Sequence, residues 1–402
     1  MSIWTTIRYH WLWFNWRRRV HRRRGPKLCV GNLPAFFRTL NERGVAYVVL
    51  RWFDEVPLSP EAERAYAGDL DIMVDSRNFR DLCRAVAEHP GKIKIDLYSE
   101  GVQMGTGYAR MPYYPPPKAL EILAGRVLHE KGFYVPSPVA YLCSLCYHLT
   151  YHKGILSGLP TGLDRQPNAV ANKHDIIGEL RRAAAEAGEE LPSEITLFSL
   201  HEWLKARYWN MPYDLLAHWG KPNEWHQLLR RHEEAHLKEQ LGGLHDIIVF
   251  MIREDAVQQG ADDVILERLR QKFAILEEVR LDGEAVRRVL NETRGADWTK
   301  HKSTLMIPPV IAVVCHDPAP VPVPPGSKLG KIHFNVRNNN VFYKHELRAW
   351  LETRYPGASG NFLHGSDNDM ESTAYLLAVY GEEGFAAARE KLLAKMHALP
   401  AK

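Results

Sequence analysis

The 402-residue chain contains no run of about 18 or more uncharged apolar residues, so no segment reads as a membrane-spanning helix. Cysteine is scarce: Cys29, Cys83, Cys143, Cys146 and Cys315 are odd in number and scattered, without a secretion signal before them. That pattern argues against a disulfide framework and for a reducing, cytoplasmic compartment. Low-complexity tracts are also missing, which sets aside a disordered scaffold. Acidic residues are absent from the first 27 positions, where Arg8, Arg17, Arg18, Arg19, Arg22, Arg23, Arg24 and Lys27 supply eight positive charges. The net charge of +4 therefore hides a remainder of −4.

What is present is ordinary for globular protein, with 45% hydrophobic and 25% charged residues, and the length suits about two or three domains. The basic N-terminal stretch also carries Trp4, Trp11, Trp13, Phe14 and Trp16. Aromatic and basic residues together suit a peripheral contact of residues 1–27 with a membrane surface. Docking on the protein itself, or on nucleic-acid phosphates, are the alternatives. The arginines follow the apolar positions, so this is not a cleavable signal.

After an arm over 1–32, the pattern predicts a helix at 33–44 and a buried strand at 45–50, then a polar, turn-rich stretch at 57–67. Asp69-Leu-Asp-Ile-Met-Val74 alternates acidic and apolar side chains, which places two carboxylates on one strand face. A helix over 78–89 leads to a second alternating strand, 92–98, carrying Asp96. Residues 137–242 read as helical and rich in Trp, His and Leu, a subdomain that closes over the first module. Strand 246–252, helix 262–272, strand 273–281, helix 283–294, strand 309–315 and a helix from about 370 then form a second α/β unit over 243–402.

Two aspartates one residue apart on a strand, with a third on a neighbouring strand, can hold divalent cations against phosphates, and acidic oxygens suit Mg²⁺ or Mn²⁺. Leu50-Arg51, Gly68-Asp69-Leu-Asp71-Ile-Met-Val74 and Ile95-Asp96-Leu97 together resemble the nucleotidyltransferase superfamily over residues 33–155. The resemblance implies metal-dependent transfer of a nucleotidyl group, with Asp69 and Asp71 as metal ligands and Asp96 as third ligand or base. Arg51-Trp52 stand where the family carries a small Gly-Ser pair. Relatives that move phospho-alcohol groups onto glycans also lack that pair, and Arg51 would then meet a phosphate.

Within the helical stretch, Cys143-x-x-Cys146-x-His148-x-x-x-His152 offers four soft-metal ligands at a spacing that matches no standard zinc pattern. Lys153 and Lys173 are candidate phosphate contacts.

Three ordered matches make residues 243–395 resemble nucleoside diphosphate kinases. Arg253 follows the first strand where the family has a phosphate-binding lysine. Pro325-Gly326-Ser327 with Gly330 resembles a Pro-Gly-Thr segment, with Lys328 beside Leu329 where an arginine is expected. Asn361-x-x-His364-Gly365-Ser366-Asp367 resembles the segment whose histidine carries a phosphoryl group. The family's orienting glutamate falls at Tyr375 or Leu376 here. The resemblance implies nucleotide contacts at Arg253, Lys328, Asn361 and Gly365, and assembly into a homo-oligomer.

The expected architecture is α/β (α+β): a nucleotidyltransferase-like mixed sheet at 33–136 with a helical cap at 137–242, and a ferredoxin-like, kinase-like domain at 243–402. The expected function is nucleotidyl or phosphoryl transfer from a nucleoside triphosphate or activated donor to a small molecule or glycan precursor. The C-terminal domain is then an active kinase supplying triphosphate, or a degenerate nucleotide sensor.

Overall fold

The computed structural model of the protein describes residues 2–108, 111–163, 174–219, 222–294, 307–333, 335–355 and 362–399. It is a mixed α and β chain in two compact units, Met1–Asn210 with Trp219–Trp225, and Met211–His218 with His226–Lys402. The stretch expected to form one helical subdomain is divided between them: 137–210 and 219–225 belong to the first unit, and 211–218 and 226–242 to the second.

The first unit is built on a mixed sheet of β1 (Leu28–Val30), β2 (Tyr47–Val49), β3 (Asp69–Val74) and β4 (Ile93–Tyr98), in the order β1-β4-β3-β2. β3 and β4 run parallel, with Asp71 opposite Asp96 and Asp69 opposite Lys94. Parallel pairing in this register, combined with the two-residue period, sends Asp69, Asp71, Lys94, Asp96 and Tyr98 to one face. Leu70, Ile72, Ile93, Ile95 and Leu97 are buried on the other. A two-stranded ribbon, β5 (Val127–Leu128) and β6 (Tyr134–Val135), follows. The stretch 57–67, expected as turns, contains a helix at Pro60–Ala65, started by Pro60 and capped by Ser59.

The 19-residue helix Ile3–His21 packs on the helix Phe79–Glu88. Trp16 is buried between them, its Nε1 donating to Met104 O at 2.6 Å and its ring 5.3 Å from that of Phe79. Arg8 donates to Ala87 O, and Arg84 lies over the Tyr9 ring. Docking on the protein itself is thus seen for one face of the basic segment. Among the described residues no helix is long and apolar enough to cross a membrane.

The second unit holds β7 (Ile247–Arg253), β8 (Ala274–Arg280), β9 (Pro309–His316) and β10 (Leu363–Gly365), ordered β10-β7-β9-β8 and antiparallel at every pair. All seven residues of β7 are buried because helices cover both faces of the sheet. Ile248, Phe250 and Ile252 pack with the helices Asp262–Lys272 and Tyr343–Arg354. Ile247, Val249 and Met251 pack with Gly283–Glu292 and Asp369–His397.

Candidate functional site

In the first unit the structure brings Asp69, Asp71, Asp96 and Arg51 together. β2 ends at Val49, and two residues later the Arg51 guanidinium reaches Asp71 Oδ1 with Nη2 at 2.7 Å. Asp71 also accepts a hydrogen bond from Tyr98. Burial raises its carboxyl above the usual range against the opposing pull of Arg51. Lys94 reaches Asp96 Oδ1 at 2.6 Å and Asp69 Oδ2 at 3.5 Å. Asp69 and Asp96 hydrogen-bond each other: burial and the Asp69 charge push Asp96 up, while the contacts with Asp96 and Lys94 bring Asp69 down against its own burial. Two carboxylates this close need a proton or a cation between them. Their side chains remain 47% and 34% exposed, so the site is open to ligand.

Behind Asp71 stands a wall of aromatic groups. Arg51 lies 5.4 Å from the centre of the Tyr113 ring, the Tyr98 and Tyr113 rings meet at a tilt of 37° with centres 3.8 Å apart, and the Tyr113 hydroxyl meets His148 Nδ1 at 2.7 Å. Arg51 is buried, and its Nη1 has no hydrogen-bond partner. An orphaned buried guanidinium nitrogen is costly unless an anion satisfies it. His148–Lys153 forms a single π-helical turn, and the Lys153 charge acts on Asp71. Lys173 lies outside the described residues. Cys143 and Cys146 are buried thiols, pushed up by that burial, to about 12 for Cys143. Among the described residues they join His148 and His152 in no cluster of metal-ligand geometry, and all five cysteines are free.

Trp52, read in the sequence only as a replacement for a small residue, has its own role. It adopts left-handed backbone (φ 53°), a conformation that costs an L-residue about 1–2 kcal/mol. Its indole stacks on His174 at 3.8 Å and 8° between planes. The pair borders an open cavity of about 400 Å³ lined also by Glu55, Asp175, Glu179 and Arg182.

In the second unit His364 lies on β10 opposite Met251, so its ring faces the helix Asp369–His397. There Tyr375 occupies the place expected for an orienting glutamate. Tyr375 is itself a partner for His364: the imidazole Nε2 meets the Tyr375 hydroxyl at 2.7 Å, and that hydroxyl donates to Asp214 Oδ2 at 2.8 Å. Asp214 is buried and held from its other side by the backbone N–H of Arg294 at 2.9 and 2.8 Å. Burial raises the Asp214 carboxyl against the pull of Arg294; with Asp214 ionised the tyrosine proton goes to it, and Nε2 of His364 supplies the proton of its own hydrogen bond. The lone pair is thereby left on Nδ1, which faces Arg348 Nη2 at 3.4 Å. Burial, then Arg348, Lys344 and Arg294, hold the imidazole well below its usual pKa, hence neutral. The arrangement is a neutral, oriented imidazole beside a guanidinium.

The other expected contacts fare unevenly. Arg253 is buried and donates to Ile307 O at 2.8 Å. Lys328 is exposed, without an ion pair or hydrogen bond to the described residues. Gly365 is required by close packing: a Cβ there would meet the Phe250 ring at 2.9 Å, and its carbonyl accepts from Lys344 Nζ at 2.9 Å. Asn361 lies outside the described residues.

Beside His364, Asp367 is buried against Lys344, with His218, His333 and Arg294 within 3.7 Å. Burial alone would raise its carboxyl; Lys344, His333 and Arg294 pull it well below the usual range. His218, Asp367 and Glu371 have ligand atoms close enough for a metal. Lys344 and Arg294 already compensate Asp367, and burial, then the neighbouring Asp367, pushes Glu371 up to about 8.

This sets a pH prediction. A carboxyl raised from 4.5 to about 8 contributes stability that is full below the lower value and lost as pH rises through about 8. Across that window the urea midpoint of the natural chain is expected to fall relative to that of the Glu371→Gln chain. Parallel pH profiles for the two chains would refute the assignment.

Compared with protein-family models, with curated proteins and with solved structures, the chain finds no match.

Proposed function

We propose that the first unit is a metal-dependent nucleotidyl- or phosphotransferase acting on a small molecule or glycan precursor. The observation that carries this reading is the in-register placement of Asp69, Asp71 and Asp96 on one open face of adjacent parallel strands. The order of elements around that sheet supports a nucleotidyltransferase-like fold. Hard carboxylate oxygens, two of them sharing a hydrogen bond, fit Mg²⁺ or Mn²⁺, which Asp69, Asp71 and Asp96 would hold. Bound there, the cation would neutralise charge on a nucleotide's phosphates. Arg51 offers its unpartnered Nη1 to a phosphate oxygen, Lys94 balances the acidic face, and the cavity beside Trp52 gives an acceptor room. The test is metal-dependent transfer by the natural chain and its loss when Asp69 and Asp71 become asparagine; equal turnover by the two chains would end this reading.

A second reading concerns the other unit, where the His364–Tyr375–Asp214 chain favours an active phosphohistidine over a degenerate sensor. The antiparallel order β10-β7-β9-β8 supports a ferredoxin-like, nucleoside diphosphate kinase-like domain. Incubation with γ-labelled ATP is expected to give an acid-labile label that His364→Ala abolishes and Tyr375→Phe slows about 10–100-fold. An unlabelled natural chain would leave nucleotide binding without transfer.

A further inference from the structure

The helix Ile3–His21 has two apolar faces, and only one is used within the first unit. Tyr9 and Trp16 face the protein. Ile3, Trp4, Ile7, Trp11 and Phe14 are 74, 74, 55, 63 and 64% exposed. Their spacing of three and four residues gathers them into one stripe along the opposite side, about 100° wide at 3.6 residues per turn. A solvated stripe of two tryptophans, a phenylalanine and two isoleucines is not the surface of a helix whose partners are all in place.

The stripe runs into a cluster of positive charge. Arg18 continues its line, and Arg17, Arg22, Arg23, Arg24 and Lys27 are exposed around the helix end. None of these six pairs with a carboxylate among the described residues. Trp11, Arg18, Arg22, Arg24 and Lys27 help line a cavity of about 290 Å³. The helix contains no Asp or Glu, so a second copy laid along the stripe, parallel or antiparallel, offers the arginines no carboxylate. A surface that is apolar below and anionic at its rim satisfies both features at once.

We propose that this helix docks the protein on an anionic phospholipid bilayer, lying in the interface with Ile3, Trp4, Ile7, Trp11 and Phe14 among the upper acyl chains and the arginine cluster on phosphate headgroups. The inference stands independently of the transferase reading, since it uses none of that site's residues. It places whatever chemistry the first unit performs at a lipid surface.

Flotation of the full chain on sucrose gradients with phosphatidylglycerol-rich vesicles tests it, against vesicles of phosphatidylcholine alone. The natural chain is expected to float with the anionic vesicles and at least about tenfold less with the neutral ones. Trp4→Ser with Trp11→Ser is expected to lose about tenfold or more of the partitioning, as is Arg18→Glu with Arg22→Glu. Both pairs are exposed, so circular dichroism and thermal midpoint should match the natural chain. A natural chain that stays at the bottom with anionic vesicles overturns the proposal. So does undiminished flotation of the tryptophan pair variant, or a lipid-free dimer, or retention on RNA, that depends on Trp4 and Trp11.

Discussion

Changing Asp69 and Asp71 together to asparagine is expected to lower metal-dependent transfer about a thousandfold or more, since a cation contributes several kcal/mol of charge stabilisation and each ~1.4 kcal/mol is tenfold. Asparagine keeps the shape of both side chains and one oxygen of each, while removing the charge that would hold the cation. The fold should persist, because Asp69 is half-exposed and the core side of β3 is untouched. Arg51 is the delicate neighbour: it loses the carboxylate at 2.7 Å, although the ring of Tyr113 still covers it. Binding of Mn²⁺ followed by electron paramagnetic resonance, beside transfer of label from an α-labelled triphosphate and circular dichroism of both chains, separates loss of the cation from loss of the fold. Mn²⁺ bound equally by both chains, or turnover indifferent to chelator, would sink the reading.

The largest effect on stability is expected at Lys344. Its ammonium is buried, bonded to Asp367 and donating to the carbonyls of Gly365 at 2.9 Å and Ser366 at 3.2 Å. Lys344→Met leaves the buried Asp367 carboxylate short of its nearest counter-charge and two carbonyls without that donor. Removing one member of a buried pair costs about 3–5 kcal/mol. Lys344→Met combined with Asp367→Asn should cost less than the single change, because the stranded charge is gone. Urea unfolding with hydrogen exchange of the β10 amides reads both. A single variant within about 0.5 kcal/mol of the natural chain would show that Arg294, His333 and His218 suffice.

The strands and helices that carry the aspartates were legible in sequence because their signals are local. Asp69–Val74 alternates with period two, and buried leucine and isoleucine enforce the alternation. Asp262–Lys272 has helical spacing ended by Phe273. The partner of His364 was not legible, since Asp214 lies 161 residues from Tyr375. The available hint was an acid inside the apolar segment Met211-Pro-Tyr-Asp-Leu-Leu-Ala217, because a buried carboxylate there needs a donor from elsewhere. Composition alone marks the N-terminal segment as an arm. Taken by spacing, Trp4, Ile7, Trp11 and Phe14 already mark one side of a helix, and Tyr9 with Trp16 the other.

The path of the chain bears on how this protein can be inherited. Eight residues, Met211–His218, leave the first unit, join the second and return before the remainder of the second unit begins. They bring Asp214 to Tyr375. A fragment starting at Gly243 would carry His364 and Tyr375 and leave behind the carboxylate that sets the histidine's tautomer. The histidine unit is therefore not a cassette that recombination could lift out by a single junction. Substitutions at 211–218 answer to the histidine although they lie far from it in sequence.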